Sequence, residues 1–476
     1  MPFATLASSH YVRDGIGDPQ KILINAYSEE NETDPQRRAK LVRRPGSRNL
    51  DTGAVIQSNL RGIGQADGHA SGHIILIDDA TVRTYDPDAG TYGTLTGTLT
   101  GSDRAQITFQ ALEGAILSGG DLFVSTGTSV AAVSDADWAT LLSDHSQTDF
   151  TSITSISQRL IATYGDRAAF SDTLDFNNTT TLSYVTAESA PDGIVGAAVA
   201  GGLLYLFGSK TVEPWIPTGD STLPFRVQRP VIQRGCLARD TIKLLDNTLF
   251  FVADDYTVRR IDGVVTRVVS VPWVVRALEA ENPSDLIASV MEVENHSFYI
   301  INGVKCCLVY DIPTQEWIGF QTYGSDTWAP TRIIQVGSQL YAAGRNDKTF
   351  VQLSRSYVSD NQADAGTFGT EIVVDFTAHV SVPGGRPAIP SIRLDGVRGR
   401  GAASDVTQEA MVEMALSKDG GNTFGPWRSR SLGRQGQYGR RPPIWRQNGR
   451  ANEEQLIMRF RSNDFAAVTA VALGED

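Results

Sequence analysis

Short apolar runs, each followed by a polar turn and a second run that alternates apolar and polar, recur along the chain. Gly119-Gly120-Asp121-Leu122-Phe123-Val124-Ser125 leads into Ser129-Val130-Ala131-Ala132-Val133-Ser134-Asp135. Residues 201–207 lead in the same way to 211–215, residues 246–252 to 257–261, and residues 337–343 to 349–353. Looser copies stand at 72–77 with 81–85, at 157–162 and at 295–300. Period-2 alternation bounded by Gly, Asp, Asn and Ser predicts β-hairpins.

The first apolar residues of these copies are Ile74, Leu122, Leu160, Leu203, Leu249, Phe298 and Leu340, spaced 48, 38, 43, 46, 49 and 42 residues apart. A period of about 40–50 residues with several strands per unit is the signature of a β-propeller. One hairpin cannot bury its apolar face alone, so repetition has to supply the core. The prediction is an all-β chain with a seven-bladed β-propeller over 60–360, six and eight blades being the neighbouring counts. A helical interruption is expected from Val271-Pro272 to Leu286-Ile287, with Pro272 at a first helical position and Val275, Ala277 and Leu278 on one face.

Outside the repeats the pattern changes. Residues 361–366 read as a linker. After it, 371–376, 391–394, 411–416 and 455–461 alternate as strands with one wet face, which predicts a C-terminal β-sandwich-like domain over 361–476. Residues 1–59 are polar apart from Ile22-Leu23-Ile24 and read as an arm packed on the body or a neighbour, with a turn at Pro45-Gly46.

Composition narrows the function. The formal net charge is −12, which argues against a surface that grips nucleic acid throughout. From Trp427 to Arg461, however, there are nine arginines, no lysine and two acids, a local balance of +7. Trp427, Tyr438 and Trp445 are interleaved with them. Arginine with aromatics suits a protein–protein hot spot, so Arg428, Arg430, Arg434, Tyr438, Arg440, Arg441, Trp445, Arg446 and Arg450 are candidate subunit or partner contacts. The competing reading of that segment is a solvated basic face. Three cysteines, two of them adjacent, argue against a disulfide framework, and Cys306-Cys307 reads as apolar filler in a strand. The residues Met1 to Ala7 have neither the basic region nor the apolar run of a secretory signal, and no run reaches the ~20 apolar residues of a membrane span.

The chain is sparse in catalytic patterns. It has no Gly-x-Ser-x-Gly, phosphate-binding loop or dinucleotide fingerprint. His69 and His73 lack a third ligand, so neither a metal site nor a cofactor is expected. Asp78-Asp79 and Asp254-Asp255 read as turn acids. Ser417-Lys418-Asp419-Gly420-Gly421-Asn422-Thr423-Phe424 is an Asp-box, Ser-x-Asp-x-Gly-x-Thr followed by an aromatic residue, and a hairpin-folding device.

Several colinear stretches carry a family resemblance. They are Ile24-Asn25-Ala26-Tyr27, Pro45-Gly46, Arg61-Gly62, Phe170-Ser171-Asp172, Ala187-Glu188-Ser189-Ala190-Pro191-Asp192-Gly193, 207–213, 217–219, and the C-terminal 417–424, 436–438 and 445–446. In this order they resemble the tail hub or nozzle proteins of short-tailed bacteriophages, also called packaged-DNA stabilisation proteins. Asn25, Pro45, Gly46, Arg61, Gly62, Glu188, Pro191, Asp192 and Gly193 are the positions that match, and Gln447-Asn448-Gly449-Arg450 departs from the pattern. The resemblance implies a non-enzymatic virion protein that is assembled in the host cytoplasm. It implies a homohexameric ring at the distal end of the tail tube. Its partners would be the head-to-tail adaptor, a tail needle or plug, and tailspikes or fibres. DNA would pass through it without sequence-specific binding. The alternative, a propeller glycan hydrolase or lectin-like receptor-binding protein, rests on the fold and the Asp-box.

Overall fold

The strand Ile74–Asp78 buries all five of its side chains, so its apolar run is continuous rather than alternating. Its neighbours explain this. Ile74 and Leu76 pack with Tyr341 and Ala343, whereas Ile75 and Ile77 pack with Ile116 and Phe123. Successive side chains point to opposite faces, and here both faces are covered by another sheet. The same division recurs along 203–208, where Leu204 and Leu206 pack with Ile161 and Phe170, and Tyr205 and Phe207 with Leu249 and Phe251.

The computed structural model describes residues 3–10, 21–30, 39–110, 113–187, 192–220, 223–345, 347–363, 367–381, 388–450, 455–464 and 467–473. The chain forms two compact units, each discontinuous in sequence, unlike the consecutive segments 1–59, 60–360 and 361–476. One comprises 50–304 and 329–352; the other comprises 1–49, 305–328 and 353–476.

In the first unit, five four-stranded antiparallel sheets follow one another, opening with Leu60–Gly64, Gln106–Gln110, Ser152–Ile156, Ile194–Ala200 and Lys243–Leu245. The hairpins Ile287–Val293 with His296–Asn302 and Pro330–Val336 with Gln339–Gly344 come next. Each opening strand lies beside the next, and Pro330–Val336 lies beside Leu60–Gly64, which closes the ring. This is the propeller that the repeats predict. Six of the seven anchors fall on the second strand of their unit; Leu122 falls on the third, Asp121–Ser125. Ile116, on the second strand there, is 42 residues after Ile74 and 44 before Leu160, so the uneven spacings of 48 and 38 disappear.

Among the described residues two α-helices interrupt this unit. Pro272–Glu279 has Pro272 in its first turn, as expected, but it stops at Glu279, and Ile287 already opens a strand. Its buried side chains are Trp273, Val274 and Leu278, rather than Val275 and Ala277. Ala136–Asp144 is a helix that strand alternation over 129–135 obscures; Asp135 caps it by accepting from the Asp137 amide at 3.1 Å. Among the described residues no helix is long and apolar enough to cross a membrane.

The second unit contains two facing sheets, as a sandwich requires. In one, Val374–Ser381, Gln455–Ser462, Ala410–Ser417 and Arg428–Gly433 pair in that order. In the other, Ala26–Glu30, Ala39–Arg43, Ala467–Leu473, Ser391–Gly396 and Ile444–Arg446 do so. Phe3–Leu6 passes between them, its first half on 471–472 and its second on 378–379. Parts of the stretch read as an arm are therefore integral strands. Pro45-Gly46 does not make the expected turn, because Gly46 opens the strand Gly46–Asn49. A Cβ there would lie 2.5 Å from the Tyr357 carbonyl oxygen and 2.6 Å from that of Ser359, so only glycine admits this approach. The described start of the expected linker is likewise fixed, with Gln362 buried and its amide donating to the Ser47 carbonyl at 2.9 Å.

The Asp-box folds as its composition predicts. Asp419 accepts from Ser417 Oγ at 2.7 Å, from the Thr423 amide at 2.9 Å and from Thr423 Oγ1 at 2.7 Å. Burial opposes ionisation, but the Thr423 and Ser417 hydrogen bonds together outweigh it and bring the carboxyl down to about 2. A folded value below the ordinary 3.8 means that this contribution to stability is present above about pH 4 and is lost as the pH falls toward 2. We expect Asp419→Asn to flatten that part of the acid-unfolding curve; an unchanged curve in the variant would refute the assignment.

Candidate functional site

Residues 428–433 and 444–446 of the arginine-rich segment are end strands of the two sheets in the second unit, whereas Arg459 and Arg461 lie on the inner strand Gln455–Ser462. Among the described residues Arg428–Gly433 pairs only with Ala410–Ser417, and Ile444–Arg446 only with Ser391–Gly396. Side chains join these two edge strands. Arg430 Nε donates to the Ile444 carbonyl at 3.1 Å, and Trp445 Nε1 to the Arg428 carbonyl at 2.7 Å. Filling edge acceptors with side-chain donors blocks further strand addition at these points.

The nine candidate contacts separate by burial. Arg430, Arg434, Tyr438, Arg441, Arg446 and Arg450 are exposed, Tyr438 at 65%. Arg428 and Arg440 are half-buried; Arg440 Nη1 meets Glu409 at 2.8 Å and Arg428 Nη2 meets Asn448 Oδ1 at 2.6 Å. Trp445 is not a surface residue: it is 0% exposed, and its ring lies 5.7 Å from Phe460 in the facing sheet. It is a core side chain, because period-2 alternation turns it inward between Ile444 and Arg446. Arg441 and Arg450 meet no carboxylate within ion-pair distance among the described residues. Arg459 and Arg461 are committed elsewhere, to Asp375 and to Glu413, with both guanidinium groups over Trp427 at 5.8 and 4.3 Å. The exposed set can bind a surface rich in carboxylates or carbonyls.

The departure at 447–450 is an irregular loop with Gln447 and Gly449 at positive φ. Buried Asn448 donates to the Trp445 carbonyl at 2.9 Å and accepts from Arg428, so the loop ties these two residues together.

The other matching positions hold backbone. Asn25, at φ 60°, accepts from Arg44 Nε and from the Gln321 amide, both at 2.8 Å, and donates to the Val373 carbonyl at 2.8 Å. Arg61 is buried and donates to the carbonyls of Asp79 and Asp103 and to Ser118 Oγ, tying the first sheet to the second. Gly62 follows the bulge in that strand; a Cβ would lie 3.2 Å from the Ala105 carbonyl oxygen. Asp192 accepts from the Lys210 amide at 2.6 Å and the Thr211 amide at 3.1 Å, and the Gly193 carbonyl accepts from the Ser209 amide. Glu188 and Pro191 lie outside the described residues.

Sequence reasoning missed Arg44, which is 1% exposed and forms a fork on Asp360, at 2.9 and 2.7 Å. Its position directly before Pro45-Gly46 is the only local signal; its partner lies 316 residues away. No group of acids, histidines and cysteines able to hold a metal occurs among the described residues. His69 Nε2 contacts Ser125 Oγ at 3.0 Å, and Cys236 is buried with its thiol pushed up to about 12 by that burial.

The architecture is that of a β-propeller protein whose buried charges bind main chain. The family profile described as Phage_stabilise, Bacteriophage P22 Gp10, beta-propeller, matches residues 43–357. That is 315 of 476 residues, and the chain belongs to this family of phage structural proteins. Among solved structures, YCF48 from Cyanidioschyzon merolae is similar at 11% identity and a TM-score of 0.42, over 65% of this chain and 98% of that one. No curated protein matches.

Proposed function

We propose that the chain is the subunit of the nozzle or hub ring at the distal end of a short phage tail, through which packaged DNA is retained and later ejected. In this reading each of the seven successive innermost strands opens one blade. The subunits form a homohexamer that contacts the head-to-tail adaptor, a needle or plug, and tailspikes or fibres, and it assembles in the host cytoplasm before lysis. Family membership supports the phage setting. The observation that carries the ring is the uneven charge. Residues 427–461 carry +7 of a chain total of −12, so the remainder carries −19. Arg440, Arg459 and Arg461 pair with acids outside the segment, but its exposed arginines without a carboxylate among the described residues, Arg441 and Arg450 among them, and an acidic remainder are complementary surfaces for like subunits or for virion partners. An acidic passage also lets DNA slide rather than adhere.

The test reverses charge on exposed arginines only. Arg434→Glu, Arg441→Glu and Arg450→Glu together leave the monomer folded, since exposed substitutions cost within about 0.5 kcal/mol each. Negative-stain images of purified protein and of virions carrying the variant are expected to lose rings and complete tails. Normal rings and tails would return the segment to a solvated basic face; wild-type virions lacking the protein at the tail tip would remove the nozzle assignment itself.

A further inference from the structure

All seven innermost strands of the propeller unit line one cavity of about 280 Å³. Its wall carries four cations, Arg104, Arg239, Lys243 and Arg332, and one acid, Asp240, which leaves three positive charges in excess. Asp240 is fully engaged: Arg104 Nη1 lies 2.9 Å from one oxygen and Arg239 Nε lies 3.0 Å from the other. The remaining groups are not engaged. Arg332 uses Nη1 on the Gly344 carbonyl at 2.9 Å and the Leu60 carbonyl at 3.3 Å, but its Nη2 is buried without a partner. Ser289 is 3% exposed and its Oγ has no partner. The side chain of Lys243, which is half-buried, forms no hydrogen bond or ion pair among the described residues.

A buried donor left unsatisfied is costly, and more so when it belongs to a charged group, as Arg332 Nη2 does. We propose that this cavity is a binding site for a small oxyanion of the phosphate type, held by Lys243, Arg332 Nη2 and Ser289 Oγ. The chemistry fits: two charged side chains and a hydroxyl line one cavity, and Arg332 Nη2 and Ser289 Oγ have no partner there, which favours charge-assisted bonds to an oxyanion. The volume admits such an ion with several waters, each taking about 30 Å³. Burial first, and then the Arg332 and Arg239 charges, lower the Lys243 pKa against the opposing pull of Asp240, and an anion would relieve this. The site stands on the propeller unit alone and does not depend on the tail assignment.

Thermal unfolding of the full chain in sodium phosphate and in sodium chloride, at equal ionic strength and pH 7, tests it. Phosphate raises stability nonspecifically, so the informative quantity is the difference between wild type and Lys243→Met. We expect a saturable rise in Tm in the wild type that is absent in Lys243→Met. In Ser289→Ala the half-saturating phosphate concentration should rise about tenfold, the equivalent of one lost hydrogen bond. Equal phosphate responses in wild type and Lys243→Met would overturn the proposal. So would a Lys243-dependent rise produced by a short single-stranded oligonucleotide but not by inorganic phosphate, because the site would then belong to a nucleic-acid chain.

Discussion

Replacing Arg44 with Met is expected to lower the unfolding free energy by about 3–5 kcal/mol, the usual cost of removing one partner from a buried ion pair. The side chain is wholly enclosed. Its Nη atoms fork onto both oxygens of Asp360, Nη1 also reaches the Pro45 carbonyl and Nη2 the Gln321 carbonyl, Nε meets Asn25, and the guanidinium lies 5.3 Å from the Trp328 ring. With Met in place, the Asp360 carboxylate stays buried at 3% exposure without its cation. Lysine does not rescue the site, because one ammonium cannot span a fork, a ring face and two carbonyls. The double variant Arg44→Met/Asp360→Leu is expected to be less destabilised than Arg44→Met, since no lone charge remains. Denaturant unfolding followed by tryptophan fluorescence gives all three values. A loss below about 1 kcal/mol in Arg44→Met would mean that the cluster is peripheral to stability.

Trp445→Ala is the second large effect, again about 3–5 kcal/mol, from removal of an enclosed aromatic side chain. Its ring fills the space between the two sheets against Phe460, which itself stacks on Phe376 at 5.2 Å. Its Nε1 also satisfies the Arg428 carbonyl on the edge strand. Trp445→Phe keeps most of the packing and loses that bond, so a smaller cost of about 1 kcal/mol beyond the volume change is expected. Arg441→Glu, four residues earlier and exposed, is expected to change stability by no more than about 0.5 kcal/mol. If Trp445→Ala left unfolding unchanged but abolished assembly, Trp445 would be a contact residue and its place in the core would be wrong.

Trp445 also marks the limit of sequence reading. An aromatic among arginines has the composition of a contact surface, and only the pairing of Ser391–Gly396 with Ile444–Arg446 decides which side of the strand faces inward. Leu122 marks another limit. Two apolar hairpin strands in one sheet look alike in sequence, so the anchor settled one strand late, and the sheet order put it right. The helix Ala136–Asp144 was hidden because its first residues continue an alternating pattern, and its cap, Asp135, serves a turn equally well. The Asp-box, by contrast, was fully legible, since all its hydrogen bonds close within seven residues.

The same distinction runs through the whole chain. Periodicity over about 40–50 residues determines the all-β class and the recurrence of hairpins, because each hairpin forms locally and its apolar content reports that it must be covered. Composition determines that arginine gathers in one late segment of an otherwise acidic chain. Only the tertiary structure decided what those charges do. Arg44 finds Asp360, Arg104 and Arg239 share Asp240, and Lys243 and Arg332 face one cavity whose acid, Asp240, is ion-paired to those other two cations. These partners lie up to 316 positions apart, and charge acts through space rather than along the chain, so no local pattern encodes which cations are spent and which are still available.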